Sequence, residues 1–315
     1  MRHVFILNPA AGKNKKALNL IPRIRQVCEK HQLDYRVYTT EYPHHATELA
    51  KQEVQKGDAV RLYACGGDGT LLEVATGIGD AACAELTCVP CGSANDFIRF
   101  FAQAERFRDL EALVLGTARR IDAILCNGKL SLNACSIGMD ADVANRQKRY
   151  KHLPFVSGPM AYNLAIMQTF FSPFGKQLHV VMETEHGKVE RVGNYLFALA
   201  ANGQYYGGGY HGSPLSQPDD GLLDFVLVSN KNHVNVFPFL KRYKNGNHLG
   251  TVGVESFRGT KMTVYAKKPT VCNADGECFA DTKVTFELLS GALSFVFPHE
   301  MLKNCEISEK YQITT

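Results

Sequence analysis

The chain has 315 residues, 45% hydrophobic and 21% charged, enough apolar material for one large or two ordinary domains and far from a disordered composition. A formal net charge of +4 and a pI near 8.4 suit an anionic small ligand or an acidic membrane surface but fall short of a nucleic-acid-binding composition, so no nucleic-acid partner is expected. No apolar stretch reaches the roughly 20 residues that a spanning helix needs, which leaves peripheral membrane contact.

Met1 to Asn8 is too short for a signal peptide and leads straight into a strand, His3 to Leu7. The strand ends in Asn8-Pro9-Ala10-Ala11-Gly12-Lys13. Ala17 to Lys30 follows as an amphipathic helix, with Leu18, Ile21, Ile24 and Val27 on one face. Asp34 to Tyr38 gives a second strand, Thr40 opens a loop, and His45 to Lys56 repeats Ala46, Leu49, Ala50 and Glu53 at helical spacing. The third strand, Asp58 to Ala64, runs into Cys65-Gly66-Gly67-Asp68-Gly69-Thr70, with a helix expected over Leu71 to Ile78. Glycines there permit positive φ and close approach of a ligand, and the helix start offers unpaired N–H groups and a positive dipole end, a combination that binds phosphate. A tight turn without a ligand also favours glycine, so both readings stay open at this point. Leu86 to Val89 gives a fourth strand, followed by Pro90-Cys91-Gly92-Ser93-Ala94-Asn95-Asp96-Phe97, where Ser93 or Asn95 is expected to cap the next helix. Alternating strands and helices imply a parallel sheet with right-handed crossovers, and the loops at 8–12, 40 and 66–70 all fall at the carboxyl ends of strands, where such sheets bind ligands.

After about Ile121 the pattern changes to short alternating strands at 131–137, 177–184, 194–200, 221–228, 259–266, 282–289 and 293–297. These imply an antiparallel sandwich or barrel, interrupted by helices over Gly158 to Phe171 and Val234 to Tyr243. The fold class expected is therefore α/β plus all-β. An α/β domain spans 1–121 with a C-terminal return at 298–315, and a β domain spans 122–297. Ten cysteines without framework spacing read as reduced and mostly buried, which fits a cytoplasmic setting; Cys88-Val-Pro-Cys91 lacks a second pair and reads as packing. Pro218-Asp219-Asp220-Gly221 offers hard oxygen ligands for Mg²⁺ or is an ordinary turn. Asn273-Ala274-Asp275-Gly276-Glu277 reads as a hairpin connection that can also present two carboxylates where a base is needed. The basic segment Arg146 to Lys151, followed by apolar residues, is either a solvated helix face or a dock for an anionic bilayer.

Six stretches in this order, Asn8 to Gly12, Gly66 to Thr70, Gly92 to Asp96, Gly138-Met-Asp-Ala141, Gly207 to Gly221 and Asp275-Gly-Glu277, resemble the soluble diacylglycerol kinase catalytic family, which includes bacterial lipid kinases and the sphingosine and ceramide kinases. The resemblance implies ATP-dependent phosphorylation of a lipid hydroxyl, with the nucleotide in the cleft between two domains and the substrate met peripherally at a membrane. It also makes a homodimer an expectation. Carried over residue by residue, Asn8, Pro9, Ala10, Ala11, Gly12, Thr40, Gly66, Gly67, Asp68, Gly69, Thr70, Leu71, Leu72 and Ser93 would contact ATP, with Asn95 and Asp96 supporting the loop. Asp220 and the main-chain oxygens of Gln217 and Leu222 would hold Mg²⁺, Asp68 would face the metal and phosphates, and Glu277 or Asp275 would be the base. Ala11 stands where the family often has Ser, Ser93 where Thr is usual, Cys91 where an aliphatic residue is usual and Cys278 where Pro often follows. The alternatives are an NAD kinase-like phosphotransferase, which shares the Gly-Gly-Asp-Gly-Thr loop, and a non-catalytic nucleotide- or lipid-binding protein.

Overall fold

The computed structural model describes residues 1–12, 15–101, 103–151, 160, 164–165, 167–169, 175–230 and 233–299. The chain forms two compact units: Met1–Ile121 with the described residues from Ala292 on, and Asp122–Gly291.

In the first unit β1 (Arg2–Leu7), β2 (Tyr35–Thr39), β3 (Val60–Gly66) and β4 (Ala84–Pro90) lie parallel in the order β2–β1–β3–β4. Nearly every residue of β1 and β3 is buried, as parallel strands covered on both faces require. The crossovers are α1 (Ile21–Lys30), α2 (His45–Val54) and α3 (Asp68–Ile78), followed by the short α4 (Asp96–Arg99) and α5 (Leu110–Val114). Helix α1 starts later than its periodicity predicts, after a 3₁₀ turn at Leu18–Leu20, because Pro22 belongs in a first turn, where its missing N–H goes unused. Helix α3, in contrast, starts three residues earlier than expected. The Asp-Gly-Thr segment is its first turn rather than a loop before it.

The second unit is built from β5 (Thr117–Cys126), which begins in the first unit, then β6 (Lys129–Ser131), β7 (Ala134–Gly138), α6 (Met139–Lys151), β8 (Lys176–Thr184), β9 (Gly187–Ala201), β10 (Leu223–Ser229), α7 (His233–Lys244), β11 (Val254–Ala274) and β12 (Glu277–Phe297). Strands β9 and β11 are long enough that each pairs antiparallel with β7, β8 and β10. This folds the strands around a core that includes Met182, Phe225, Met262 and Phe286. The alternate residues of β9 and β10, Phe197, Leu199, Val226 and Val228, face the other way and bury Val236, Phe239 and Tyr243 of α7.

Several boundaries differ from expectation for physical reasons. The strand expected over 131–137 breaks at Leu132-Asn133, whose N–H groups turn toward Asp275. The strands expected at 282–289 and 293–297 are one continuous strand, β12. Its last residues, 292–297, belong to the first unit rather than the second: Ser294 and Phe295 lie parallel to Glu85 and Leu86, and the Thr87 hydroxyl donates to the Val296 carbonyl at 2.9 Å. Residues 300–315 of the expected return, and most of the helix expected over 158–171, lie outside the described residues. The nine described cysteines are free thiols, seven of them buried, Cys88 and Cys91 included.

Candidate active site

The first unit brings the loops after β1, β3 and β4 together at the carboxyl edge of the sheet. Gly66, Gly67 and Gly69 do not have the positive φ that glycine was expected to supply; closeness is what demands glycine here. A Cβ on Gly66 would lie 2.2 Å from the Thr70 hydroxyl, and one on Gly92 would lie 2.6 Å from the Gly67 Cα. Gly12, with φ +74°, would place a Cβ 2.2 Å from the Cys91 carbonyl oxygen. Side chains complete the lock: Asn8 Nδ2 donates to Thr70 Oγ1 at 2.9 Å, and Asn8 Oδ1 accepts the Ala10 N–H at 2.9 Å. Thr40 is buried and donates its N–H to Leu7 at 2.9 Å.

Asp68 is committed in a way the sequence did not reveal. Its Oδ1 accepts the Phe97 N–H at 3.1 Å and so caps α4, while the expected caps make no such bond; Asn95, in the left-handed conformation, instead donates to the Gly92 carbonyl at 3.0 Å. Ser93 is exposed on the loop, and Ala10 and Gly69 are exposed with it. Leu71 and Leu72 are buried, the Leu71 N–H is spent on the Gly67 carbonyl at 3.1 Å, and Leu71 lines a small pocket with Gly66, Gly67, Asp68 and Asn95. The N–H groups of Asp68, Gly69 and Thr70 open the helix and have no carbonyl one turn back, which leaves the anion-attracting end of α3 at the surface of this edge.

In the second unit the two carboxylates of Asp275-Gly276-Glu277 separate into two roles. Ala274 pairs with Glu277, and Asp275 and Gly276 both have positive φ, so the segment is the two-residue hairpin turn that its Asp-Gly predicts. The partly buried Asp275 carboxylate accepts the N–H groups of Leu132 at 2.5 Å, Asn133 at 3.0 Å and Ala134 at 3.0 Å. Burial pushes its pKa up, and these bonds oppose that rise. With its lone pairs so engaged, Asp275 anchors the β6–β7 turn. Glu277 is 43% exposed and faces the Lys129 ammonium at 3.6 Å, so its carboxylate is open to a substrate.

Asp220 sits on a loop tied down by residues that sequence reasoning passed over. Buried Asp122 accepts the Gly221 N–H at 2.8 Å and donates its own N–H to the Pro218 carbonyl at 2.6 Å, and Asn202 donates to the Asp122 carbonyl at 2.9 Å. The available signal was an aspartate heading the apolar run Ala123-Ile124-Leu125. Asp220 Oδ1 accepts the Leu222 N–H at 3.0 Å, its Oδ2 pairs with Arg258, and burial raises its pKa despite that partner. Among the described residues no three His, Cys, Asp or Glu side chains are gathered around a metal position. Both Asp220 oxygens thus already have partners, so a cation held by Asp220 with the main-chain oxygens of Gln217 and Leu222 would have to displace Arg258.

Residues 2–126 match the model of the diacylglycerol kinase catalytic domain, and residues 133–297 match that of the YegS C-terminal NAD kinase beta sandwich-like domain. The chain belongs to the diacylglycerol kinase family. Among its relatives, a Bacillus subtilis (strain 168) protein named "Putative lipid kinase YtlR" is 30% identical over 88% of this chain and 94% of its own length. A Staphylococcus carnosus protein named "Diacylglycerol kinase" is 23% identical over 97% and 98% of the two chains. A crystal structure titled as a diacylglycerol kinase from Bacillus anthracis str. Sterne superposes with a TM-score of 0.67 at 17% identity, covering 94% of this chain and 96% of that one, which shows a shared fold.

Proposed function

We propose that the protein is an ATP-dependent lipid kinase that transfers the γ-phosphoryl group to the hydroxyl of diacylglycerol or a related lipid alcohol. The observation that carries this reading is the division of labour between Asp275 and Glu277, which leaves one exposed carboxylate on the hairpin of a family member whose other unit holds a glycine-built anion-binding edge. The N–H groups of the α3 first turn receive the phosphates, and Asn8, Thr70 and Asp68 hold the surrounding loops in place. The carboxylate of Glu277 accepts the proton of the attacking alcohol as its oxygen bonds to the γ-phosphorus and ADP leaves, with no covalent enzyme intermediate. Mg²⁺, held by Asp220 with the main-chain oxygens of Gln217 and Leu222, would neutralise phosphate charge.

A second reading, an NAD kinase-like phosphotransferase, is favoured by the likeness of residues 133–297 to an NAD kinase beta sandwich-like domain. Radiolabelled ATP supplied with a total lipid extract in one arm and with NAD in the other separates the two. A labelled phospholipid is the expected product, and label in NADP with none in lipid would reverse the assignment.

A further inference from the structure

From Phe225 to Val254 the chain holds no Asp or Glu and four cations, Lys231, Lys241, Arg242 and Lys244. Without these four, the 35 Lys and Arg become 31, equal to the 31 Asp and Glu, so the entire formal excess of +4 lies in this stretch. The structure arranges three of these cations on α7. One face of the helix is spent on the core through Val236, Phe239 and Tyr243. The other carries Phe237, Lys241 and Lys244 at i, i+4 and i+7, with Phe237 53% exposed and Arg242 beside them. The Gly250-Thr-Val-Gly253 turn is tied to the end of β10, just before α7, by the Ser229 N–H to the Gly253 carbonyl at 2.8 Å, and its Val252 is 95% exposed.

We propose that α7 and the 250–253 turn dock on an anionic lipid bilayer. Apolar tips at Phe237 and Val252, cations on the same helix and no acid across thirty residues are complementary to acyl chains beneath a negatively charged headgroup layer. The lipid-kinase reading explains why the protein would visit a membrane, but the docking stands on the charge and exposure alone. The basic segment at 146–151 does not enter this proposal. Arg146 there is bonded to Thr169 Oγ1 at 3.1 Å, and the side chains of Lys148 and Lys151 lie outside the described residues.

Co-sedimentation of the full chain with phosphatidylcholine vesicles, with and without phosphatidylglycerol, tests this. Binding is expected with phosphatidylglycerol and not without it. At about fivefold per cation, reversing Lys241, Arg242 and Lys244 to Glu should weaken binding by roughly a hundredfold or more. The Phe237→Ser/Val252→Ser pair should weaken it about tenfold or more. Both variants should melt like the parent and phosphorylate short-chain diacylglycerol in detergent micelles at the parent rate. Parent-like sedimentation of the charge-reversed protein, or equal binding to neutral vesicles, overturns the proposal. So does a dimer seen by sedimentation velocity that the reversal abolishes while vesicle binding persists, since the face would then belong to a second copy. If the docking pattern holds but no lipid is phosphorylated in micelles, the kinase reading falls and the docking remains; normal micelle turnover without the docking pattern gives the reverse.

Discussion

The edge of the parallel sheet and the carboxylate corner of the β unit bind backbone in opposite ways. At the sheet edge, loops are held by the absence of side chains: Gly67, Gly92 and Gly12 let main chains touch, Gly66 makes room for the Thr70 side chain, and the first-turn N–H groups of α3 have no carbonyl one turn back. In the β unit, Asp275 and Asp122 draw main-chain N–H groups onto themselves and so hold loops in place. Backbone N–H groups converging on an acidic residue in a motif mark it as scaffolding. Glu277, two residues from Asp275, instead stands half-exposed beside Lys129, as the proposed base requires.

The most forceful way to break this contrast is Glu277→Gln, which should cut turnover by about 10²- to 10⁴-fold while leaving ATP affinity, measured by calorimetry, unchanged. Asp275→Asn should also lower turnover, but by unsettling the hairpin: it brings an NH₂ among N–H donors and should cost about 4 kcal/mol in chemical denaturation. The acidic limb of its pH–rate profile should survive, whereas Glu277→Gln should remove it; loss of the limb in Asp275→Asn would return the role of base to Asp275.

The units should also answer pH differently. His3, buried against the Tyr63 hydroxyl at 2.7 Å, has its pKa pushed down by burial to about 4, so the folded first unit binds fewer protons than the unfolded chain between pH 4 and 6.5. Its contribution should be complete above pH 6.5 and fall by up to about 3 kcal/mol as the pH drops to 4. In the second unit, His248, lowered to about 4 by burial, acts in the same sense. Asp224, raised to about 6 by burial, acts in the opposite one, because the folded state keeps its proton and loses stability as the pH rises from 4 to 6. Hydrogen exchange against pH should show a steeper slope for amides of β1 and β3 than for those of β9 and β11. Equal slopes would mean that His3 titrates freely.

The smallest expected effect is the sharpest. Gly69 has open space where a Cβ would go and sits in a helix, so Gly69→Ala should leave stability unchanged or raise it by about 0.5–1 kcal/mol, yet weaken ATP binding if phosphate approaches that turn. Gly92→Ala should instead lose both stability and ATP binding, because its Cβ meets the Gly67 backbone.

Periodicity revealed β1 to β4, the buried face of α2 and α7 nearly to the residue, because their apolar spacing depends only on local geometry. It misjudged the start of α3, since Asp-Gly-Thr is a weak helix signal that the tertiary lock between Gly67 and Gly92 overrides. The Asp-Gly turn at 275–276 was legible because two successive positive φ values have a known sequence signature. The roles of Asp68, Asp122 and Asp275 as N–H acceptors were not, since each partner is distant in the chain: Phe97, Gly221 and residues 132–134. The uniformly buried strands β1 and β3 could be placed, but the ending of β12 beside β4 could not, because nothing near Ser294 in the sequence refers to Glu85.

That ending bears on synthesis. Phe295 is fully buried and its ring meets Phe97 edge-on, while the strand that carries it is made some two hundred residues after β4. During translation the first unit must wait, with one edge of its sheet unpaired, until the inserted β half has emerged from the ribosome. A fragment ending at Ile121 would therefore be released with its Phe97 and Phe107 side chains uncovered, a ready substrate for chaperones, and any separately expressed version of this half needs the 292–299 strand restored to it.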